Sequence, residues 1–195
     1  MKLYSFSLTP NNRKVEAFIR HYDLPVEIHS MNFKDKENKS EAYLKMNPLG
    51  KAPTLADGDF YLWESNAILT YLATMFPETN ALPTDPQGRA DVDRWLHWQG
   101  FHFTNAIVAH KDDPEKAAKD FRIHLDMLEA QLEAKDFIRG ELGLADFAIA
   151  PYALARLGQA VDFSGHPNIV AWLARCSKLK GFVATIYIPP GAPQA

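Results

Sequence analysis

Residues 47–73 read NPLGKAPTLADGDFYLWESNAILTYLA, and the architecture of the chain can be worked out from this stretch. Two short apolar runs flank Asp57-Gly58, a pair typical of a β-hairpin turn. Glu64 and Ser65 then open a helix whose apolar residues recur at helical spacing, and we expect Ser65 at its N-cap. The N–H groups at a helix start suit a carboxylate, and Glu64 beside them suits an ammonium group. The stretch therefore predicts a site for the head group of an α-amino acid.

The composition indicates a globular protein and narrows its function. Hydrophobic residues make up 47% of the 195 residues and charged residues 23%, with a formal net charge of −3. This balance argues against nucleic acid or an anionic membrane as the main partner. No apolar run approaches the roughly 18 residues of a membrane-spanning helix. Cys176 is the only cysteine, which excludes an internal disulfide and a Cys-x-x-Cys redox motif. The first residues lack the pattern of a signal peptide, so we expect a cytoplasmic protein.

Hydrophobic patterning divides the chain into two parts. Residues 1–77 read in order as strand, helix, strand, short helix, hairpin and helix. A βαβ unit followed by a ββα unit is the thioredoxin-like arrangement, which has a mixed four-stranded sheet. Residues 78–87 include Pro83 and Pro86 and are predicted to be a linker. Residues 88–195 show helical patterning almost throughout and are predicted to form an all-α domain.

Three motifs are similar to those of a known family: NPLGKAP at 47–53, ESNAI at 64–68 and GELGLAD at 140–146. With these motifs, and over essentially its full length, the chain resembles the cytosolic glutathione S-transferase superfamily. The resemblance implies a thioredoxin-like domain that binds glutathione, an all-helical second domain, and a homodimer formed through the helix of 66–76 and the helix after Gly88. Asp146 is then structural, as one half of a capping box in which Gly143 replaces the usual Ser or Thr.

The resemblance also implies which residues hold glutathione. Pro53 would be cis, and the Ala52 backbone would pair with the cysteinyl part of the ligand. Glu64 and Ser65 would hold the γ-glutamyl head, and Lys51 would approach the glycyl carboxylate. Residue chemistry alone leaves a plainer interpretation open for each: a trans strand-entry residue for Pro53, a solvated lysine for Lys51, a helix cap for Ser65 and a first-turn charge for Glu64.

The glutathione sulfur has to be held as a thiolate, because the thiolate is the nucleophile. Lowering a thiol pKa by about two units needs roughly 2.7 kcal/mol of preferential stabilisation, and one hydrogen bond to a charged group supplies about 1.5–3 kcal/mol. The sequence TPN at 9–11 is similar to bacterial nu-class and fungal nitrogen-regulator-like members, in which the Thr and the Asn point at the sulfur. That match makes Thr9 and Asn11 the candidate catalytic residues, although Asn12 stands where glycine is usual. The alternative is that Thr9 and Asn11 only cap the first helix.

Aromatic residues on the long helix predicted from Arg89 to about Val108 are candidates for a second-substrate pocket. The equivalent helix lines that pocket in the family, and on that match we assign Trp98, His102 and Phe103 to it. The alternative is that each is an ordinary core or interface aromatic. No His, Asp, Glu or Cys cluster has metal-ligand spacing, so we expect no metal.

Together these features predict an enzyme that uses the glutathione thiolate to conjugate electrophiles or to reduce peroxides or disulfides. Members with the Thr-Pro-Asn start often show the peroxidase or disulfide-reductase activity. Glutathione would be the cosubstrate, and its partner a small hydrophobic electrophile, a peroxide or a disulfide. The alternative is a glutathione-binding or regulatory protein without turnover, because the sulfur position carries none of the tyrosine, serine or cysteine that many members use.

Overall fold

The structure is a computed structural model that describes residues 1–6, 9–109, 114–155, 158 and 161–185. A four-stranded mixed sheet with three helices is followed by an all-helical part, which confirms the fold predicted from the sequence. Across the described ranges, no helix is both long enough and apolar enough to cross a membrane.

The sheet has the strand order β2-β1-β3-β4. Strand β1 (Lys2–Ser5) pairs in parallel with β2 (Glu27–Ser30) and antiparallel with β3 (Thr54–Asp57). Strand β4 (Phe60–Trp63) completes the hairpin with β3. At the turn, Gly58 has a φ of +58°, a value that tight hairpin turns require and that glycine adopts without a steric clash.

Three helices accompany the sheet: α1 (Pro10–His21), α2 (Glu41–Met46) and α3 (Ser65–Met75), with 3-10 turns at Glu37–Lys39 and Pro77–Thr79. Pro10 occupies the first position of α1, where a backbone N–H would have no intrahelical partner. Val15, Phe18 and Ile19 recur at helical spacing along α1 and are buried. Helix α1 therefore presents an apolar face to the rest of the molecule.

The described residues of the second part form six α-helices: α4 (Pro86–Trp98), α5 (Thr104–Ala109), α6 (Pro114–Gln131), α7 (Leu144–Ala153), α8 (Pro167–Cys176) and α9 (Lys180–Val183). A π-helical segment, Gln99–Phe103, connects α4 to α5 without a loop. Helix α7 is buried along its whole length, as its nearly uniform apolar sequence predicts. It is the core helix of this part.

Asp146 ties the start of α7 to its surroundings. Its carboxylate accepts hydrogen bonds from the backbone N–H of Gly143 (3.0 Å), the backbone N–H of Ile138 (3.0 Å) and the indole N–H of Trp172 (2.8 Å). The group is buried, and it touches backbone and core rather than a cleft. Asp146 therefore has the structural role that the capping-box motif implies.

Helix α1 joins the two parts of the molecule because its inner face packs against α7 and α9. The Phe18 ring meets the Phe147 ring edge-on, with centroids 5.3 Å apart, and Phe147 stacks on Phe182 at 5.5 Å. Gly181 allows α9 to approach α1 so closely that an added Cβ would lie 1.9 Å from the carbonyl oxygen of Ala17. One continuous core thus runs from the sheet through α1 into the helical part.

The boundary of the long helix differs from the one predicted. The helix begins at Pro86, inside the predicted linker of residues 78–87. It begins there because the Asp85 side chain accepts a hydrogen bond from the Gly88 N–H at 2.8 Å and caps it. The helix start predicted at 112–113 and the tail after Thr185 lie outside the described residues.

Candidate functional site

A polar cleft of about 160 Å³ lies between the loop of residues 47–53 and the start of α3. It brings together six residues that the sequence assigned to glutathione or to its sulfur: Asn11, Lys51, Ala52, Pro53, Glu64 and Ser65. The peptide bond between Ala52 and Pro53 is cis, as the family resemblance implies. Thr9, the other residue assigned to the sulfur, does not line this cleft.

Side chains beneath the loop hold it in shape. The Asn47 amide donates to the Lys51 carbonyl (2.8 Å) and to Thr54 Oγ1 (3.0 Å), and the Tyr43 hydroxyl donates to the same carbonyl (2.6 Å). Asn47, Tyr43 and Thr54 are all buried, where hydrogen bonds form with little competition from water. Ala52 and Lys51 therefore line the cleft from a preformed wall.

Asn12 holds the start of α1 against this loop, a role that the sequence did not reveal. Its Nδ2 donates to the Ala52 carbonyl (3.2 Å) and to Thr9 Oγ1 (2.6 Å), while its Oδ1 accepts from the Phe6 N–H (3.0 Å) and from Ser5 Oγ (3.1 Å). One buried side chain thus ties the end of β1, the start of α1 and the cis-proline loop together. Asn12, which stands where the family usually has glycine, therefore helps to fix the position of the cis-proline loop.

Thr9 is at the N-cap position of α1, but its side chain does not cap the helix. Its hydroxyl oxygen makes no capping bond to the described residues and accepts from the Asn12 amide instead. The prediction of the cap position is confirmed, and the prediction of the cap hydrogen bond is wrong. A hydroxyl that accepts one hydrogen bond keeps its own proton to donate.

Asn11 stands where the cleft meets the helical part of the molecule. Its Oδ1 accepts from Ser65 Oγ (3.2 Å) and from the Tyr152 hydroxyl (2.9 Å). These two donors fix which way the amide points. Nothing among the described residues accepts a hydrogen bond from its Nδ2, so this amide group is available to a ligand in the cleft.

The start of α3 lies one residue earlier than predicted. Glu64, not Ser65, is at the N-cap, with a φ of +72°, and the first intrahelical bond runs from the Ile68 N–H to the Glu64 carbonyl. Ser65 is the first helical residue and donates its hydroxyl to Asn11. The prediction of Ser65 as N-cap is therefore wrong. The N–H groups of the first turn have no carbonyl partner within the helix, which leaves them for an anion.

A second, smaller cavity of about 110 Å³ continues from the cleft into the junction between the two parts. Its wall includes Asn11, Glu64 and Ser65 from the cleft together with Lys14 and Tyr152. Burial lowers the pKa of Lys14 to about 7, and burial raises the pKa of Tyr152. The two cavities share Asn11, Glu64 and Ser65, so Lys14 and Tyr152 lie next to the cleft.

The three residues assigned to a second-substrate pocket are not together in an open cavity. Phe103 is 0% exposed and Trp98 only 8%, and their rings lie 5.0 Å apart in the core. The Trp98 indole donates to His124 Nδ1 at 3.2 Å. His102 is exposed and lies against the His124 ring, with centroids 5.0 Å apart. For Trp98 and Phe103 the structure supports the alternative of core aromatics, because the π-helical segment turns both toward the helical core.

The structure also bears on two other kinds of chemistry, attack by a protein thiol and binding of a metal ion. Burial raises the pKa of the Cys176 thiol, and the side chain is buried on α8, so it is not a nucleophile for the cleft. Within the described ranges, no group of three or more His, Cys, Asp or Glu side chains is placed to hold a metal ion.

Comparisons with known proteins show which family the chain is similar to. Residues 1–74 match the model for the glutathione S-transferase N-terminal domain, and residues 95–180 match the model for its C-terminal domain. Mouse glutathione S-transferase theta-1 is 29% identical over 93% of this chain and 84% of its own. Escherichia coli K12 glutathione S-transferase GstB is 28% identical over 96% and 98%. A Burkholderia graminis glutathione transferase, solved with two glutathione molecules bound per subunit, has a TM-score of 0.82 and 26% identity, covering 98% of this chain and 89% of that one.

Proposed function

This chain belongs to the cytosolic glutathione S-transferase superfamily, and from that premise we propose that it is a glutathione-dependent transferase whose cosubstrate lies in the cleft between residues 47–53 and α3. The main support for the proposal is that six residues assigned to glutathione or its sulfur from the sequence all line that one cleft. The Glu64 side chain suits the ammonium group of such a peptide ligand. The N–H groups at the start of α3 and the Lys51 side chain suit its two carboxylates.

Glutathione fits the cleft by charge from one end to the other. Its α-carboxylate would accept hydrogen bonds from the first N–H groups of α3, beside Ser65. Its ammonium group would pair with the Glu64 carboxylate. The cysteinyl part would lie along Ala52, and the glycyl carboxylate would lie toward Lys51. Each of these four residues lines the cleft.

The sulfur would lie near Asn11 and the start of α1. The Asn11 amide has a free donor there, and the Thr9 hydroxyl retains a proton. Either donor would stabilise the thiolate over the thiol, by about 1.5–3 kcal/mol for a hydrogen bond to a charged group. The thiolate then attacks an electrophilic carbon, peroxide oxygen or disulfide sulfur. The new bond to sulfur forms as the leaving group departs with the electron pair of the broken bond.

The test is to measure glutathione affinity by calorimetry and then turnover with three substrates: chlorodinitrobenzene, cumene hydroperoxide and hydroxyethyl disulfide. Binding with turnover on at least one substrate supports the proposal, and the substrate that reacts fastest identifies the reaction class. Tight binding with no turnover on any of them would support the regulatory alternative. Absence of glutathione binding would refute both.

We predict that Asn11→Ala and Thr9→Ala each lower turnover about tenfold while changing glutathione affinity less, because loss of one donor raises the thiol pKa by about one unit. The pKa of the bound thiol is read from thiolate absorbance as a function of pH. Tyr152→Phe is the matched variant, since it removes one of the two donors that orient Asn11 and should have a smaller effect. If the double variant titrated like the wild type, the assignment of the sulfur donors would be wrong.

We also propose that the protein is a homodimer, as the family resemblance implies. An apolar groove of about 820 Å³ lies between β4, α3 and α4, and it borders the cleft at Glu64. Its rim carries Phe60, which is 50% exposed, and Phe101, which is 68% exposed. An exposed apolar surface of this kind is typical of a protein interface. The helices implied by the resemblance are the ones that flank it.

Light scattering should therefore give twice the 22.0 kDa mass of one chain. Phe60→Asp is expected to shift the protein to monomer, because it places a charge in the apolar groove. Ile123→Asp is the control, since Ile123 is also an exposed apolar residue but lies on α6, away from the groove. A wild-type protein that is monomeric at micromolar concentration would contradict the proposal.

A further inference from the structure

Lys14 is a buried cation without a counter-ion of its own. Its side chain is 1% exposed, on the face of α1 that meets the helical part. Its Nζ donates to Asn66 Oδ1 at 2.9 Å and to Gln99 Oε1 at 2.8 Å, and it lies 5.4 Å from the centre of the Tyr152 ring. No carboxylate of the described residues forms an ion pair with it. Burial of an unpaired charge is strongly unfavourable, and buried groups of this kind cluster at functional sites.

The groups around Lys14 are arranged to accept hydrogen bonds from an ammonium. The Asn66 Nδ2 donates to the Leu96 carbonyl (2.8 Å), and the Gln99 Nε2 donates to Thr104 Oγ1 (2.8 Å). The Asn66 Nδ2 also donates to Gln99 Oε1 (3.0 Å), so both amide N–H₂ groups have acceptors of their own and both amide oxygens are left to accept from Lys14. The two amides therefore solvate the charge but do not neutralise it.

The π-helical segment contributes to this arrangement. It begins at Gln99, whose carbonyl accepts from both the N–H and the hydroxyl of Thr104. Segments of this type are rare and occur often at functional sites. Here the segment holds Gln99 at the junction with α1 and α3, 85 residues along the chain from Lys14.

Lys14 is close to the end of the cleft where the head group of the ligand would lie. It lines the 110 Å³ cavity together with Glu64, Ser65 and Asn66, the residues at the start of α3. Glu64 acts on Lys14 through space and favours its charged form. If the ligand ammonium pairs with Glu64, then Glu64 no longer balances the charge of Lys14. An anion bound at the first N–H groups of α3 would balance it instead.

We propose that Lys14 is a positioning residue that supplies the positive charge behind the start of α3 and thereby selects ligands with a carboxylate at that point, namely the α-carboxylate of a γ-glutamyl head group. This inference rests on the proposed binding of glutathione in the cleft. Lys14 acts through Asn66 and through space, and it does not itself contact the reacting sulfur.

Lys14 in this role makes ligand binding depend on pH, which a purely structural lysine would not do. The groups that face Lys14 are the Glu64 carboxylate at α3, the Tyr152 phenol on α7, and the neutral side chains of Asn66, Gln99 and Thr104. Because burial lowers the pKa of Lys14 to about 7, the side chain is mostly neutral at pH 8 in the free protein. A bound carboxylate raises that pKa, so binding takes up a proton, and affinity falls as the pH rises above 7.

The probe is S-methylglutathione, because its sulfur carries no ionisable proton. Calorimetry at pH 8 in two buffers of different ionisation enthalpy should show uptake of up to about one proton by the wild type, and affinity should fall about tenfold from pH 7 to 8.5. In Lys14→Met the uptake should vanish and the affinity should lose this pH dependence. Lys45→Met, at an exposed lysine of α2, should behave like the wild type.

A second ligand separates the carboxylate from other anions. S-methylglutathione with its α-carboxylate converted to a carboxamide should bind the wild type without proton uptake. Uptake that persists with this ligand or in Lys14→Met, or that appears only with free glutathione, would overturn the inference. Binding of S-methylglutathione by the wild type without any uptake would do so even if Lys14→Met fails to fold, and it would leave the proposed function intact. No binding at all would refute both.

Discussion

Replacement of Asp146 by alanine is expected to lower the free energy of unfolding by roughly 3 kcal/mol or more, since it leaves two buried donors and one half-buried donor unpaired, at about 1–3 kcal/mol for each buried one. Those donors are the N–H groups of Gly143 and Ile138 and the indole of Trp172. Burial raises the pKa of Asp146 to about 6. Urea unfolding should therefore be measured at pH 8, where the carboxylate is ionised.

Asp146→Asn is the matched control for that experiment. Two of the three bonds, from Ile138 and Trp172, end on Oδ1, which an asparagine can keep as its amide oxygen. The third, from Gly143, ends on Oδ2 and would be lost. The asparagine variant should therefore lose clearly less stability than the alanine variant. Equal stability of Asp146→Ala and wild type would show that the bonds do not stabilise α7.

The second large effect is expected at Gly181. An added Cβ would lie 1.9 Å from the carbonyl oxygen of Ala17 and 2.9 Å from the Cβ of His21, so α9 would have to move away from α1. Gly181→Ala should lower the free energy of unfolding by about 3 kcal/mol, the upper range for an overpacked core.

Gly165→Ala is the control for Gly181→Ala. No described atom lies within 4 Å of a Cβ added at Gly165, and its φ is outside the left-handed region. Its effect should stay within about 0.5 kcal/mol, as for most surface substitutions. Hydrogen exchange should report faster exchange at residues 181–185 in Gly181→Ala alone. Equal stability of the two variants would contradict the close approach of α9 to α1.

The elements predicted well from the sequence are those specified by neighbouring residues. Asp57-Gly58 sets the turn between β3 and β4, and Pro10 sets the start of α1, because each depends on local backbone preferences. The start of α3 was missed by one residue for the opposite reason. Glu64 has a φ of +72°, which a glutamate does not favour by itself and which its position between the hairpin and α3 imposes.

The π-helical segment explains why Trp98 and Phe103 both lie in the core. A period of 3.6 residues places Trp98 and Phe103 on different sides of a straight α-helix. The extra residue in the π turn brings both into the core, where they contact each other. Side-chain periodicity alone carries no sign of that extra residue.

The polar contacts within the site could not be predicted from neighbouring residues, because they join residues far apart in the sequence. Asn12 reaches Ala52 across 40 residues of sequence, and Lys14 reaches Asn66 across 52. Both residues appear in the sequence as ordinary polar residues of a helix's first turns. Only the approach of α1 to distant segments shows that one holds the loop and the other is a buried charge.

The position of α1 between α7 and α9 has a consequence for how the chain unfolds. Phe18 is covered by Phe147, and the Arg13 guanidinium donates to the Phe182 carbonyl and to Thr185 Oγ1, both at 3.3 Å. Loss of the helical part would expose the apolar face of α1 to water. Residues 1–77 alone would then lack part of their core, and we expect calorimetry of the whole chain to record one cooperative transition instead of two. Residues 1–77 thus depend for part of their thermodynamic stability on packing against α9, a helix that ends at Val183, 181 residues after the start of β1 at Lys2.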